Sequence, residues 1–219
     1  MGTIVEQEKK LFEEWRQNGC FQDGKRNFVI DGVVDEQEFM RQTYRFVFIL
    51  KEANQMGETP LPVFLRDGAP RNGGHTWNPV CRWLTGENRT FSLSERAKIL
   101  KRIAVVNLKK EDGGSFTDMK ALEQVVARDR SFIKRQLDIY AAVAPVVFVC
   151  CGPGLLSMLN EFIFGNIELL RVQSLVYAKP DARDVYFVAF KHPNCKIAEM
   201  TNRFKEILSL VDSSRNGHA

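Results

Sequence analysis

The sequence predicts an α/β fold, a three-layer α/β/α sandwich around a mostly parallel central sheet of about four strands. Three observations predict it. Four short apolar runs recur along the chain, stretches of helical spacing separate them, and polar side chains crowd just after three of the four. An uninterrupted apolar run suits a strand buried on both faces, as in a parallel sheet with helices on either side. Alternation of such strands with helices is the pattern of layered α/β domains. At 219 residues, with 44% hydrophobic and 26% charged residues, the chain is long enough for one core and has a globular rather than a disordered composition. We expect a single domain over 1–219, with a helix inside 1–18 as an N-terminal extension.

Taken in order, Ile4, Val5, Leu11, Phe12 and Trp15 share roughly one helical face over residues 4–16. A loop with Gly19 and Gly24 follows, then a second helix capped by Asp35 and running to about Tyr44. The first apolar run is Phe46-Val47-Phe48-Ile49-Leu50, and the second, Ile103-Ala104-Val105-Val106, ends at Asn107. The third, Val146-Val147-Phe148-Val149, ends at the turn Gly152-Pro153-Gly154. The fourth, Val185 to Phe190, ends at His192-Pro193. Helical patterns lie at about 76–85, 93–101, 116–143 (one helix or two), 153–164 and 196–211. Leu169–Tyr177 is a further strand or an extended loop. Residues 51–75 hold three prolines and four glycines with no period. So long a loop inside a domain tends to be functional, and it starts where the first strand ends.

Composition removes several function classes. The formal charge of +4 tolerates a nucleic-acid partner without demanding one. Five cysteines form an odd set with no Cys-x-x-Cys pair, which argues against a disulfide framework or a four-cysteine metal site and for a reducing compartment. The N-terminus is charged from Glu6 to Lys10, so no signal peptide is expected, and no apolar run approaches the roughly 20 residues that cross a bilayer. A cytoplasmic monomer without membrane contact, metal or cofactor is expected.

In open α/β sheets ligands bind beyond the carboxyl ends of the strands. There this chain places Lys51-Glu52-Ala53-Asn54-Gln55, then Asn107 and Lys109, then Lys191-His192-Pro193-Asn194. A carboxylate, amides and an imidazole at one edge can position water, read a polar heterocycle and stabilise a developing anion.

These three segments resemble the motifs of the uracil-DNA glycosylase superfamily: a strand ending in a short acidic or amide motif, a strand ending in Asn, and a last strand ending in His-Pro-Ser. Leu50-Lys51-Glu52-Ala53-Asn54 looks most like the Gly-Glu-Ala-Pro-Gly form of the iron–sulphur-containing branch, and the similarity runs from about Phe46 to the final helix. It implies cleavage of the N-glycosidic bond of uracil or another deaminated base flipped out of DNA. By position, His192 would stabilise the leaving anion. Glu52 would orient water or oppose positive charge on the sugar, with Asn54 as its competitor. Asn107 would read the base edge through its donor and acceptor. Trp77, or else Phe64, would stack on the base. Lys51, Lys109 and Asn194 would face DNA, with Lys196 near phosphate and Ile197 as an apolar wedge in the minor groove. Lys51 replaces the usual glycine and either crowds the pocket or supplies a phosphate contact. Asn54 stands for proline and Asn194 for serine, and the cluster-binding cysteines of the iron–sulphur branch are missing, so no cluster is expected.

Each residue has a plainer structural alternative. Asn107 can end a strand, and Glu52 can pair with Lys51 or Lys109. Trp77 and more so Trp83 can be core, and His75 a loop residue. Gly152-Pro153-Gly154 lacks the Lys-Ser/Thr ending of a phosphate loop and reads as a strand-to-helix turn. Arg128, Arg130, Lys134 and Arg135 read as a solvated helix face. Two other functions compete: a nucleic-acid- or nucleotide-binding module of the same fold with the catalytic group lost, and an α/β hydrolase of small nucleosides. No Gly-x-Ser-x-Gly elbow supports a conventional hydrolase.

Overall fold

Side chains alternate across a strand, so each apolar run here feeds two cores at once. In the computed structural model, which describes residues 2–18, 21, 27–54, 56–57, 59–70, 73–114, 117–173, 175–180, 183–195 and 199–216, the chain opens with α1 (Ile4–Asn18), β1 (Gly32–Val33), α2 (Glu36–Met40) and β2 (Arg45–Asn54). Three helices follow, α3 (Leu61–Arg66), α4 (Gly74–Thr85) and α5 (Leu93–Leu100), and then β3 (Ile103–Gly113). The chain continues through α6 (Met119–Ala141), β4 (Val146–Cys151), α7 (Leu155–Leu159) with a π-helical turn at Asn160–Phe164, β5 (Leu170–Val172), β6 (Leu175–Ala178), β7 (Val185–Phe190) and α8 (Met200–Asn216).

The strands form one seven-stranded mixed sheet in the order β1-β3-β2-β4-β7-β6-β5. The expectation of about four strands is therefore corrected. The four apolar runs are its parallel centre, β3-β2-β4-β7. Three short strands were not predicted as a set: β1 lies antiparallel on one side, and β6 and β5 lie antiparallel on the other. Their shortness is why they left no periodic signal. β5 exposes Leu170 and Val172 at the sheet edge.

Phe46, Phe48 and Leu50 of β2, with Ile103 and Val105 of β3, face a core closed by α3, α4, α5 and α8. Val47 and Ile49, with Ala104, Val106 and Leu108, face a second core closed by α1, α2, α6 and α7, in which Phe148 stacks on Phe187 at 4.2 Å between ring centroids. Local signals set the helix starts. Asp35 caps α2 by accepting from the Glu38 amide at 3.1 Å, and Asp118 caps α6. Ser92 and Glu95 form a reciprocal capping box on α5.

Several expected boundaries move. The second helix stops at Met40, well short of Tyr44, because Arg45 already starts β2. Residues 51–75 are not a continuous loop: β2 runs on to Asn54, and α3 occupies Leu61–Arg66 behind Pro60. Residues 119–141 are one helix. The last helix begins at Met200 and reaches Asn216. The N-terminal helix packs into the second core, where Ile4, Phe12 and Trp15 are buried and Trp15 stacks on Phe132 of α6. Among the described residues no helix is long and apolar enough to cross a membrane.

Polar groups also hold α1 to the sheet, in a buried cluster. Lys110 Nζ lies 2.7 and 2.6 Å from the two oxygens of Asp31 and 2.8 Å from Gln136 Oε1. Gln136 Nε2 donates to Asp31 at 2.9 Å and to Glu8 at 3.4 Å, the Tyr140 hydroxyl donates to Glu8, and the Val33 amide donates to Glu8 Oε2 at 3.2 Å. The backbone accommodates Glu8 through Gly32, whose φ is +123° and where a Cβ would lie 2.3 Å from Glu8 Oε2. Burial, and to a lesser extent the nearby Asp31 charge, push the Glu8 carboxyl up to about 7 against the hydrogen bonds it accepts.

A carboxyl whose folded pKa lies above its unfolded one stabilises the fold fully below the unfolded value of 4.5, and that contribution is lost as pH rises through about 7. We therefore expect Glu8→Gln to flatten the pH dependence of unfolding free energy between pH 5 and 8, relative to the unmodified chain, by an amount on the order of 2–3 kcal/mol. Urea titrations across that range check it, and identical slopes for the two proteins would refute the assignment.

Candidate functional site at the carboxyl edge of the sheet

The chain passes from β2 to β3 on one side and then crosses to β4 on the other, so the order of the parallel strands reverses at β2. The carboxyl ends of β2 and β4 therefore frame a topological switch point, the usual ligand crevice of such sheets. The sequence-predicted segments all reach this edge, but two sit inside strands rather than after them. β2 and β3 pair beyond their apolar parts, with Leu50 opposite Asn107 and Glu52 opposite Lys109. The apolar run marks only the buried length of each strand, which is why Asn107 looked like a strand end.

By the alternation of each strand, Leu50 and Glu52 share a face with Asn107 and Lys109, the face covered by α3, α4, α5 and α8. Asn107 is fully buried there. Its backbone N–H donates to Asp31 Oδ2 at 2.6 Å. Its side-chain Oδ1 and Nδ2 have no hydrogen-bond partner among the described residues. A buried amide with neither donor nor acceptor satisfied costs a few kcal/mol, and such groups are rare in folded proteins.

Two residues further along each strand, Glu52 pairs with Lys109 at 2.9 Å and accepts from Thr117 Oγ1 at 2.7 Å. Of the two partners open to Glu52, Lys109 is the one it takes. Gly113 makes room for this carboxylate, since a Cβ there would meet Glu52 Cδ at 2.2 Å. Asn54 ends β2 opposite Gly113.

On the other side of the switch point, Gly152 turns the chain after β4 with φ +143°, its N–H donating to the Phe190 carbonyl at 2.9 Å. A Cβ on Gly152 would sit 3.4 Å from Lys51 Cε, so the lysine chain rests on this turn. Gly152-Pro153-Gly154 is a strand-to-helix turn, as expected. His192 follows β7 and is half-buried. Its Nδ1 accepts the Asn194 backbone N–H at 3.2 Å, and its carbonyl accepts from Cys195 N–H at 2.9 Å. An Nδ1 used as acceptor leaves the proton of the neutral ring on Nε2. Burial first, and the Lys51 charge second, hold the imidazole below its ordinary 6.5. The ring is therefore a neutral Nε2–H donor at pH 7.

α4 closes the site. Thr76 Oγ1 donates to Asn194 Oδ1 at 2.7 Å, tying the start of the helix to the loop after His192. Trp77 is buried on the same face of the sheet as Asn107, and Phe64 is half-buried against Gly73. Trp83 is core, stacked on Phe204 and edge-on to Phe190. His75 is exposed. Lys196 and Ile197 lie outside the described residues. The basic stretch of α6 is a solvated face, with Lys134 paired to Asp138 of the same helix at 2.8 Å and Arg135 to Glu14 of α1 at 2.6 Å.

Asn107 and His192 thus stand at one edge but not in contact, three inter-strand steps apart, or roughly 14 Å at about 4.8 Å per step. Among the described residues no cluster of His, Cys, Asp and Glu is arranged to hold a metal ion. A cavity of about 620 Å³ lined by Thr3, Asp35, Glu36, Gln37, Met40 and Arg66 opens at the opposite edge, near the start of β3, and shares no residue with the site. The residues that sequence reasoning missed are Asp31, Lys110 and Thr117. Lys110 left a signal, since it shares strand parity with Val106 and Leu108 and so had to point into a core. Neither a scan of family models nor a comparison with curated proteins gives a match.

The neutral ring predicts an NMR signature. Nitrogen-15 spectra should show His192 protonated on Nε2 at pH 7 and titrating below 6.5, with Lys51→Met moving the midpoint upward. A titration above 6.5, or an Nδ1–H tautomer, contradicts the assignment.

Proposed function

We propose that this chain is a glycosylase-like hydrolase that cleaves the N-glycosidic bond of uracil or another deaminated base flipped out of DNA. The observation that carries the reading is the Asn107 amide, buried with its donor and acceptor both free of partners among the described residues. Such an amide matches the adjacent acceptor and donor on the edge of an oxo-pyrimidine or oxo-purine. A ligand of that kind would remove the cost of leaving both atoms unpaired. The arrangement of helices on both faces of the sheet is consistent with a three-layer, uracil-DNA glycosylase-like fold, and the motif resemblance points the same way.

Bond cleavage leaves negative charge on the base oxygen and oxocarbenium character on the sugar. His192 suits the first task because it is neutral with Nε2–H available. It can strengthen a hydrogen bond as charge develops without having to lose a proton first. Lys51, close enough to depress the imidazole pKa, adds a positive potential on the same side. Trp77 supplies an apolar wall on the Asn107 side. Glu52, fixed by Lys109 and Thr117, keeps acceptor capacity on both carboxylate oxygens for a water or for the cationic sugar. Lys109 and Asn194 would meet DNA at the mouth, and Asn54 stays the alternative to Glu52.

One observation favours a second reading. Both Glu52 oxygens are already engaged, as in a structural ion pair, which fits a nucleic-acid- or nucleotide-binding module that has lost its chemistry. Oligonucleotides carrying uracil, hypoxanthine or xanthine, single- and double-stranded, distinguish the two when assayed for abasic sites. We expect base release that falls about 10²- to 10³-fold in His192→Ala, the usual loss for one donor to a developing anion, and to a similar extent in Asn107→Ala. Binding without release selects the module, and release from free nucleosides alone selects a small-molecule hydrolase.

A further inference from the structure

We propose that Asp31 and Lys110 are positioning residues for Asn107, gripping its backbone from the far side of the sheet so that its amide is presented in one orientation to the ligand. The proposal deepens the glycosylase-like reading and rests on it for the identity of that ligand.

The edge of the sheet is incomplete just where Asn107 sits. β1 pairs with β3 only at Gly32↔Val105 and Val33↔Ala104. Main-chain pairing on that side resumes at Val29 N–H to Lys110 O, 2.7 Å, and at the bridge Phe28↔Glu111. From Gly32 to Phe28 is four residues, while from Val105 to Glu111 is six, so β3 carries two more residues than its edge neighbour. The register with β2 slips at the same place: Glu52↔Lys109 is followed by Ala53↔Asp112, one step against three. β3 thus carries its extra residues between Val105 and Lys110 on the edge side and at Lys110–Glu111 on the β2 side, and such bulges re-aim side chains beside sites.

The bulge leaves the Asn107 N–H without a main-chain acceptor, and the Asp31 carboxylate takes it at 2.6 Å. A charged acceptor makes a short, strong bond. It is tolerable in the core only because Lys110 lies 2.6 Å from the same oxygen. That ammonium is itself enclosed, with Gln136 Oε1 at 2.8 Å and the Phe12 and Trp15 rings at 5.4 and 5.3 Å. Asp31 and Lys110 are both buried, and neither reaches the face that carries the Asn107 amide. They act through the backbone. On the ligand face no described hydrogen bond orients the amide, so the direction of its donor and acceptor is set by packing and by the hold on its N–H.

Removing one member of the ion pair strands a buried charge and endangers the fold, whereas replacing both with apolar residues is commonly tolerated. The test is therefore the double variant Asp31→Leu/Lys110→Met, with cooperative urea unfolding as the control for folding. In a folded double variant we expect single-turnover base release to fall about tenfold or more with KM nearly unchanged, the scale of a misplaced reacting group. Adding Asn107→Ala should then cost far less than it does in the unmodified chain, since coupled residues are not additive. Wild-type turnover in the folded double variant, or an undiminished Asn107→Ala effect, overturns the proposal.

A second measurement needs no activity. In the unmodified protein the Asn107 side-chain NH₂ should give one sharp pair of NMR signals and its backbone amide slow hydrogen exchange. In the double variant the NH₂ pair should shift or broaden and the backbone amide should exchange faster. If neither changes, the positioning role is wrong. If both change but the unmodified protein releases no base, the role stands and the glycosylase reading fails. Should the double variant not fold, Asp31→Asn serves instead. It keeps an acceptor for the Asn107 N–H, and an unchanged NH₂ pair and turnover in that folded variant overturn the requirement for charge.

Discussion

The ion pair between Lys110 and Asp31 is the interaction on which most of the structure converges. Two opposite charges removed from water are stable only when every remaining donor and acceptor finds a partner, and here that requirement recruits four separate pieces of chain. α6 supplies Gln136 and Tyr140, α1 supplies Glu8, the edge segment supplies Asp31, and β3 supplies Lys110 and the Asn107 amide proton. A hydrophobic core tolerates some sliding of one element past another. A network of directed bonds does not, and this one fixes the register of α1 and the edge strand against the sheet.

That rigidity lies directly behind the candidate site. The ion pair and its hydrogen bonds occupy one face of β3 and the unpartnered Asn107 amide the other, so the strand separates a fully satisfied polar cluster from an unsatisfied one. Buried polar groups are normally paired. An exception flanked by such a network is an observation of this fold itself, and the candidate site rests on it more than on the motif spacing.

Much of this was legible in the amino-acid order. Runs such as Phe46–Leu50 and Val146–Val149 declare buried parallel strands because every residue must be apolar when both faces are covered, and they are the centre of the sheet. Glu52, Asn107 and His192 reach one edge because the apolar lengths of the parallel strands end at about one level. The remainder was hidden for physical reasons. β1 and β5 are two and three residues long, too short for a period. The strands continue past their apolar parts, so Lys51, Glu52 and Asn107 were read as loop or terminus. Asp31 and Glu8 look like surface acids, because a pairing with Lys110 depends on contacts far apart in the chain. The neutral state of His192 likewise depends on Asn194 and Lys51 arriving together in space.

The single hydrogen bond from Thr76 to Asn194 has a mechanical consequence. It joins the first turn of α4, which carries Trp77, to the loop that carries His192. The β3 side of the edge has the buried Asp31–Lys110 pair behind it, whereas the α4 side is tied to the loop after β7 by this exposed bond. Any shift of the helix start is thereby passed to the loop after β7, so the positions of the indole and the imidazole are coupled through this bond.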